Sequence, residues 1–328
     1  MRVSDTPMYV IAFLFTLTLT VFLARSIIPF LKSCAKQPIY TDGPSWHVSK
    51  SGTPTMGGVS FLVSISLTLL LCSLYKYLMG EGEEALSLII CVVYAALNAA
   101  VGILDDVTKL KRKENAGLTP RAKLVLQLIL SALFLLARSA LLHEKALSLF
   151  PIQLSDSRFF YYAVSLIILV GITNCANLTD GIDGLSSSVA FSVGIALFYG
   201  YYGVSGNVSF ISSALVGGAI AFLIFNLNPA KVFMGDTGSL FLGSLIAAAG
   251  FEAGSPMISV ISGGVYVIEG VSVILQVIYY KATKKRLFKM APIHHHLEKC
   301  GWDENRICIV AIILTLLMSS AVLICVRR

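Results

Sequence analysis

"ALSLIICVVYAALNAAVGILDDVTK", residues 85–109, decides what kind of protein this is. Residues 85–104 carry no charge, and a helix rising ~1.5 Å per residue over that length crosses a hydrocarbon layer of ~30 Å. Two adjacent carboxylates, Asp105 and Asp106, then stand at the helix end. Outward from this stretch the pattern recurs. Apolar runs at roughly 9–31, 56–78, 122–142, 159–176, 185–202, 210–226, 239–252, 257–280 and 307–326 predict, together with 85–104, an all-α integral membrane protein of about ten transmembrane helices. Of the 328 residues, 56% are hydrophobic and 13% charged, with a mean hydropathy of +0.81, more apolar surface than a soluble core hides. The N-terminal run follows Arg2 and ends in "LARS", but it is too long for the apolar segment of a signal peptide. Without a repeat, a linker or a soluble segment, residues 1–328 read as one polytopic domain with working loops.

Lys and Arg set the orientation. With the N-terminus outside, the inner loops collect Lys32, Lys36, Lys50, the cluster from Lys109 to Lys123, Lys231, and the run from Lys281 to Arg306. The outer side receives few, such as Lys76, Arg138 and Arg158, and its loop "GEGEEA" is acidic. The positive-inside rule therefore places both termini outside. The net charge of +7 becomes an inner-face charge suited to anionic lipid headgroups or phosphorylated substrates, and no nucleic-acid partner is expected. Seven Cys lie scattered without paired spacing and read as small apolar residues.

The inner loops hold nearly all the polar residues of chemical interest; an outer segment at 143–158 suggests a small hairpin around Pro151. The first inner loop, "WHVSKSGTPTMGG", offers Lys50, Thr53 and Thr55 to a phosphate, or Thr55 simply caps the second helix. Asp105 and Asp106 stand at a helix C-terminus, where the macrodipole disfavours carboxylates. Either they form a solvated ion-pair cluster with Lys109, or they hold a divalent metal such as Mg²⁺ with substrate phosphates completing its shell. The third inner loop, "NCANLTDGIDGLSS", turns at Gly181 and Gly184 and would bring Asn177, Asp180 and Asp183 to one side, with Asp183 as a helix cap the alternative. In the fourth, "FNLNPAKVFMGDTGS", Asn226 and Asn228 precede Asp236, which opens a helix either as its cap or as a metal ligand. Phe233 there offers an aromatic face to a base. In the last, "APIHHHLEKCGW", three consecutive His cannot share one helix face, which excludes the i, i+4 zinc pattern but supplies donors to phosphate or sugar oxygens. Glu269, within an apolar span, is expected to face the bundle interior or an aqueous cavity. No Walker A pattern is present.

In this order and spacing, "DDVTK", "NLTDGIDG", "NPAKVFMGDTGS" and "PIHHHLE" resemble the phospho-N-acetylmuramoyl-pentapeptide transferases, within the polyprenyl-phosphate hexosamine-1-phosphate transferases, over essentially the whole chain. Ile182 and Leu297 depart mildly from the usual Leu and Phe. The resemblance implies ten transmembrane helices, a homodimer, a multi-pass location in the bacterial inner (cytoplasmic) membrane, and an active site facing the cytoplasm. It implies transfer of phospho-MurNAc-pentapeptide from UDP-MurNAc-pentapeptide to undecaprenyl phosphate, giving lipid I and UMP with Mg²⁺. By the same resemblance Asp236 is the principal Mg²⁺ ligand, and Asp105 and Asp106 adjoin the metal and the lipid phosphate. Asn177, Asp180, Asp183, Asn226 and Phe233 form the uridine and ribose pocket, which Lys50 and Thr55 help to close. His294, His295 and His296 handle pyrophosphate and sugar. The rival readings are a GlcNAc-1-phosphate transferase of the same superfamily and a transporter of lipid-linked sugars, which would place polar residues at broken helices near the midplane.

Overall fold

The computed structural model describes residues 5–35, 50, 52–112, 117–142, 148–149, 152–153 and 158–326. Among them the elements run α1 (Thr6–Cys34), α2 (Val59–Leu78), α3 (Gly82–Arg112), α4 (Pro120–Leu141), β1 (Ser148–Leu149), β2 (Ile152–Gln153), α5 (Arg158–Thr179), α6 (Leu185–Tyr201), α7 (Gly206–Asn226), α8 (Gly235–Glu252), α9 (Pro256–Ser262), α10 (Gly264–Thr283), α11 (Ile293–Glu298) and α12 (Glu304–Val326). The two short strands pair antiparallel, in the segment where a hairpin was expected. The rest of that segment, and 36–49 of the first inner loop, lie outside the described residues.

Seven helices, α1 to α5, α7 and α10, are long and apolar enough to cross a membrane. Helices also stand at the other expected spans, α6 with 17 residues, α8 with 18 and α12 with 23. The expected ninth span is not one helix. It breaks at the Gly263–Gly264 pair into α9 and α10.

α3 and α8 form the centre. α3 packs on α2, α4 and α8, and α8 lies also against α5 and α9. α8 is buried continuously from Thr237 to Phe251 and is built from small residues such as Gly243, Ser244 and Ala247 to Ala249, which let neighbouring backbones approach closely. Those small residues also lower its hydropathy, a pattern that fits a helix surrounded by protein. At Gly102 of α3 the approach is closest, since a Cβ there would lie 2.3 Å from the carbonyl oxygen of Asp236. With 31 residues, α3 is ~46 Å long and overshoots a hydrocarbon layer of ~30 Å, so its last turns project from the apolar region.

Polar contacts gather at both ends of the bundle. At one end Lys76 on α2 pairs with Glu81 at 2.5 Å and Glu84 at 2.8 Å. There too Arg138 on α4 pairs with Glu252 on α8, which also accepts from Ser87 and, at 2.8 Å, from the Asn207 amide. Lys76 and Arg138, two of the few cations assigned to the outer side, are thus buried and matched with acids. The opposite end holds the inner loops.

Candidate active site

Asp105 and Asp106 are 2% and 3% exposed, so the solvated ion-pair cluster does not form. Lys109 does pair with Asp105 at 2.7 Å, one turn along the helix, but the pair is turned inward onto the start of α8. Asp106 reaches the first-turn N–H groups of α8. Its Oδ2 accepts from the Thr237 N–H at 2.9 Å and hydroxyl at 2.7 Å, and its Oδ1 from the Asp236 N–H at 3.2 Å. A helix start leaves four N–H groups without intrahelical partners and carries partial positive charge. Here a carboxylate from a different helix satisfies two of them. Gly235, at φ +71°, makes the left-handed turn that brings the chain into α8, with the Thr55 hydroxyl and Asp106 close above it.

The three capping alternatives therefore fail. α8 begins after Met234, α2 after Gly58 and α6 after Gly184, none with a side-chain cap, so Asp236, Thr55 and Asp183 are left for other work. Asp236 turns its carboxylate outward from the first turn of α8. Its Oδ1 accepts from Asn177 at 2.8 Å, while its Oδ2 contacts Lys109 at 2.9 Å and Lys123 at 2.6 Å. One oxygen from each of Asp105, Asp106 and Asp236 lies within 4.8 Å of the others. Opposite oxygens of a six-coordinate Mg²⁺ shell are about 4 Å apart, so hard carboxylate donors at this spacing fit that cation with little adjustment.

Loop residues surround the cluster. The Asn177 amide bridges Asp236 and Ser239, each at 2.8 Å, tying α5 to α8. Asp180 follows in the turn after α5. Burial, reinforced by the neighbouring Asp236 and Asp106 carboxylates, pushes its carboxyl well above the ordinary carboxylate range. Phe233 is half-buried, in backbone that is zipped to the first inner loop: its N–H donates to the Pro54 carbonyl and its own carbonyl accepts from the Gly57 N–H, both at 2.8 Å.

Two expected pocket residues are engaged inside the protein. Asp183 Oδ1 binds Lys50 at 2.7 Å, and its Oδ2 accepts from Asn228 and the Ala230 N–H. Lys50 in turn binds Glu304 at 2.7 Å, so a three-residue bridge joins the first inner loop, the third and α12. Asn226 is 2% exposed, donates to the Val232 carbonyl and accepts from Ser187. The histidines diverge as their spacing requires. His294 is fully buried with Nδ1 3.0 Å from Glu269, which faces the interior; its Nε2 lies against Gly181, next to Asp180. His295 pairs with Glu298 at 2.6 Å, and His296 Nδ1 accepts from the Lys289 N–H.

Lys123 and Glu304 belong to this constellation although no motif drew attention to them, and Thr237, inside the quoted GDTGS stretch, was assigned no part there. Lys123 sits 113 positions from Asp236, and no local spacing announces that contact. Glu304 reads in sequence as an ordinary acidic residue in a first helical turn.

The glycosyl transferase family 4 model matches residues 86–253, from α3 through the end of α8, and a signature of the phospho-N-acetylmuramoyl-pentapeptide-transferases matches residues 50–62, which include Lys50 and Thr55. The phospho-N-acetylmuramoyl-pentapeptide-transferases of Bacillus thuringiensis (strain Al Hakam) and Bacillus cereus (strain AH187) are each 41% identical over 303 residues, covering 89% of this chain and 89% of theirs. A carboxylate cluster between α3 and α8, inside the matched region and framed by the signature loop, accompanies that identity: the chain belongs to the phospho-N-acetylmuramoyl-pentapeptide-transferase family.

Proposed function

We propose that the chain, as one polytopic domain, transfers phospho-MurNAc-pentapeptide from UDP-MurNAc-pentapeptide to undecaprenyl phosphate, giving lipid I and UMP. The convergence of Asp105, Asp106 and Asp236 at the projecting end of an apolar helix carries the reading, because it sets a phosphate-handling site beside lipid. Mg²⁺, when bound, neutralises phosphate charge and orients the diphosphate. Asp105 and Asp236 present the oxygens for it, and Asp106 fixes the start of α8 so that they face each other. A lipid phosphate oxygen attacks the sugar-bearing phosphorus, and the bond from that phosphorus to the UMP oxygen breaks. The second pKa of a phosphate ester is ~6, so the nucleophile is largely dianionic at neutral pH and needs no protein base.

Phe233 stacks on uracil while Asn177 and Asp180 line the uridine pocket. Asp183, Asn226 and Lys50 shape that pocket from behind through the bonds described, and Thr55 closes it beside Gly235. The His294–His296 segment takes the pyrophosphate and sugar. The bundle has ten spans with both termini outside, lies in the bacterial inner membrane with its site toward the cytoplasm, and pairs as a homodimer. UMP release measured with undecaprenyl phosphate and each UDP-sugar tests the function. Release with UDP-MurNAc-pentapeptide alone is expected. Release only with UDP-GlcNAc would assign the sister activity, and no release with either would favour the transporter.

A further inference from the structure

Three carboxylates and two ammonium groups meet where α3, α4 and α8 touch, and their contacts are unevenly divided. Asp106 is filled by the neutral donors of Thr237 and Asp236. Asp105 Oδ1 accepts from the Leu118 N–H at 2.8 Å, and Asp236 Oδ1 from Asn177. The remaining oxygen of each is in lysine hands. Asp105 Oδ2 lies 2.7 Å from Lys109 and 3.7 Å from Lys123; Asp236 Oδ2 lies 2.9 Å and 2.6 Å from the same two groups.

A divalent cation using Asp105 and Asp236 through these oxygens must displace both ammonium groups from its own ligands. Once displaced they cannot stay nearby unpaired, because unit charges a few ångströms apart repel strongly in a partly buried site. They need another anion, and a polyphosphate arriving at the same corner is one. Lys109 and Lys123 have the means to move: their side chains are 23% and 15% exposed, and each ends a flexible four-carbon stem.

We infer that Lys109 and Lys123 keep the cation ligands closed to a lone divalent cation and yield them when a phosphate-bearing substrate takes up the two ammonium groups. Both are positioning residues in this role. The inference rests on the reading of the carboxylate cluster as a metal site. Its consequence is strong mutual reinforcement: the factor by which the phosphate ligand tightens the cation equals the factor by which the cation tightens the phosphate ligand.

The experiment needs no turnover. The full chain in lipid–detergent micelles at pH 8 is titrated with Mn²⁺ and free ion is read by electron paramagnetic resonance, alone and with saturating UDP, after correction for Mn²⁺–UDP pairing in solution. The wild type is expected to bind Mn²⁺ at least tenfold more tightly with UDP than without. The Lys109→Gln/Lys123→Gln variant is expected to bind Mn²⁺ alone at least tenfold more tightly than the wild type and to lose most of the UDP enhancement. Thermal melting establishes that it is folded; if it is not, Lys109→Gln and Lys123→Gln singly are each expected to tighten binding severalfold. Equal or weaker Mn²⁺ binding by folded lysine variants overturns the inference, and it leaves the metal site standing if Asp236→Asn abolishes binding. If Asp236→Asn binds Mn²⁺ as the wild type does, the metal reading falls and takes the inference with it.

Discussion

Asp106 lies at the start of a helix that is not its own; α3 does not end there, as the sequence suggested, but runs on to Arg112. The N-terminal dipole of α8 and two of its N–H groups attract it. The adjacent pair therefore divides its labour. Replacing Asp106 by Ala should cost about 1–2 kcal/mol of stability, the usual size of a lost cap, whereas Asp105→Ala, which frees the Leu118 N–H but leaves both lysines paired with Asp236, should cost less and yet lose turnover. Thermal melting and UMP release on the same preparations decide it; equal melting of the two variants would refute the division. Asp180 gives a pH-dependent counterpart. Its carboxyl is raised on folding, so it is a liability that sets in as pH rises through the unfolded value near ~3.9 and is complete above the folded value. Asp180→Asn should accordingly raise the melting temperature at pH 8, with the gain shrinking as pH falls toward ~4. Both carboxylates were legible in sequence as polar residues stranded at the ends of apolar runs. Lys123 was not, because its partners lie on other helices and only the folded bundle brings them near.

Helices here are delimited less by their own caps than by their neighbours. The sequence offered Thr55, Asp183 and Asp236 as local caps, and in each case the helix starts after a different residue. Local capping rules misplace these residues because tertiary partners satisfy the helix start or claim the side chain. α8 shows the same override in composition: its Gly, Ser and Ala content makes it a weak candidate span, yet it is the most enclosed helix of the centre. The break between α9 and α10 falls where two adjacent glycines, Gly263 and Gly264, interrupt an otherwise continuous apolar run. The α3–α8 contact depends on Gly102 having no side chain. Gly102→Val should push α3 from the backbone of Asp236, costing about 1–3 kcal/mol as overpacked sites do, and should also abolish turnover by separating Asp105 from Asp236. A melting curve with an activity assay checks both; full activity would show that the helices tolerate separation.

Across the whole molecule, the loops assigned inward by charge meet one another at one end of the bundle, and the acidic outer segment with Lys76 and Arg138 lies at the other. This separation holds whichever end faces outward, and labelling tests the proposed orientation. In a Cys-free background, an impermeant thiol reagent applied from outside should modify Glu83→Cys and spare Lys111→Cys; the reverse pattern would invert the topology. One further consequence lies in α4, which faces outward on most sides and is tied to central α8 twice: Lys123 meets Asp236 at one end and Arg138 meets Glu252 at the other. The two tie points are separated by ~22–24 Å along each helix. Lipid of unsuitable thickness tilts or strains the helices that touch it, and α4 would convey that strain along its length to the ammonium group beside Asp236. Turnover in nanodiscs should then peak at one acyl-chain length, and Arg138→Met, by releasing the far tie, should flatten the peak. The bilayer's depth would act as a regulator of wall synthesis, read through a helix that is anchored at both ends.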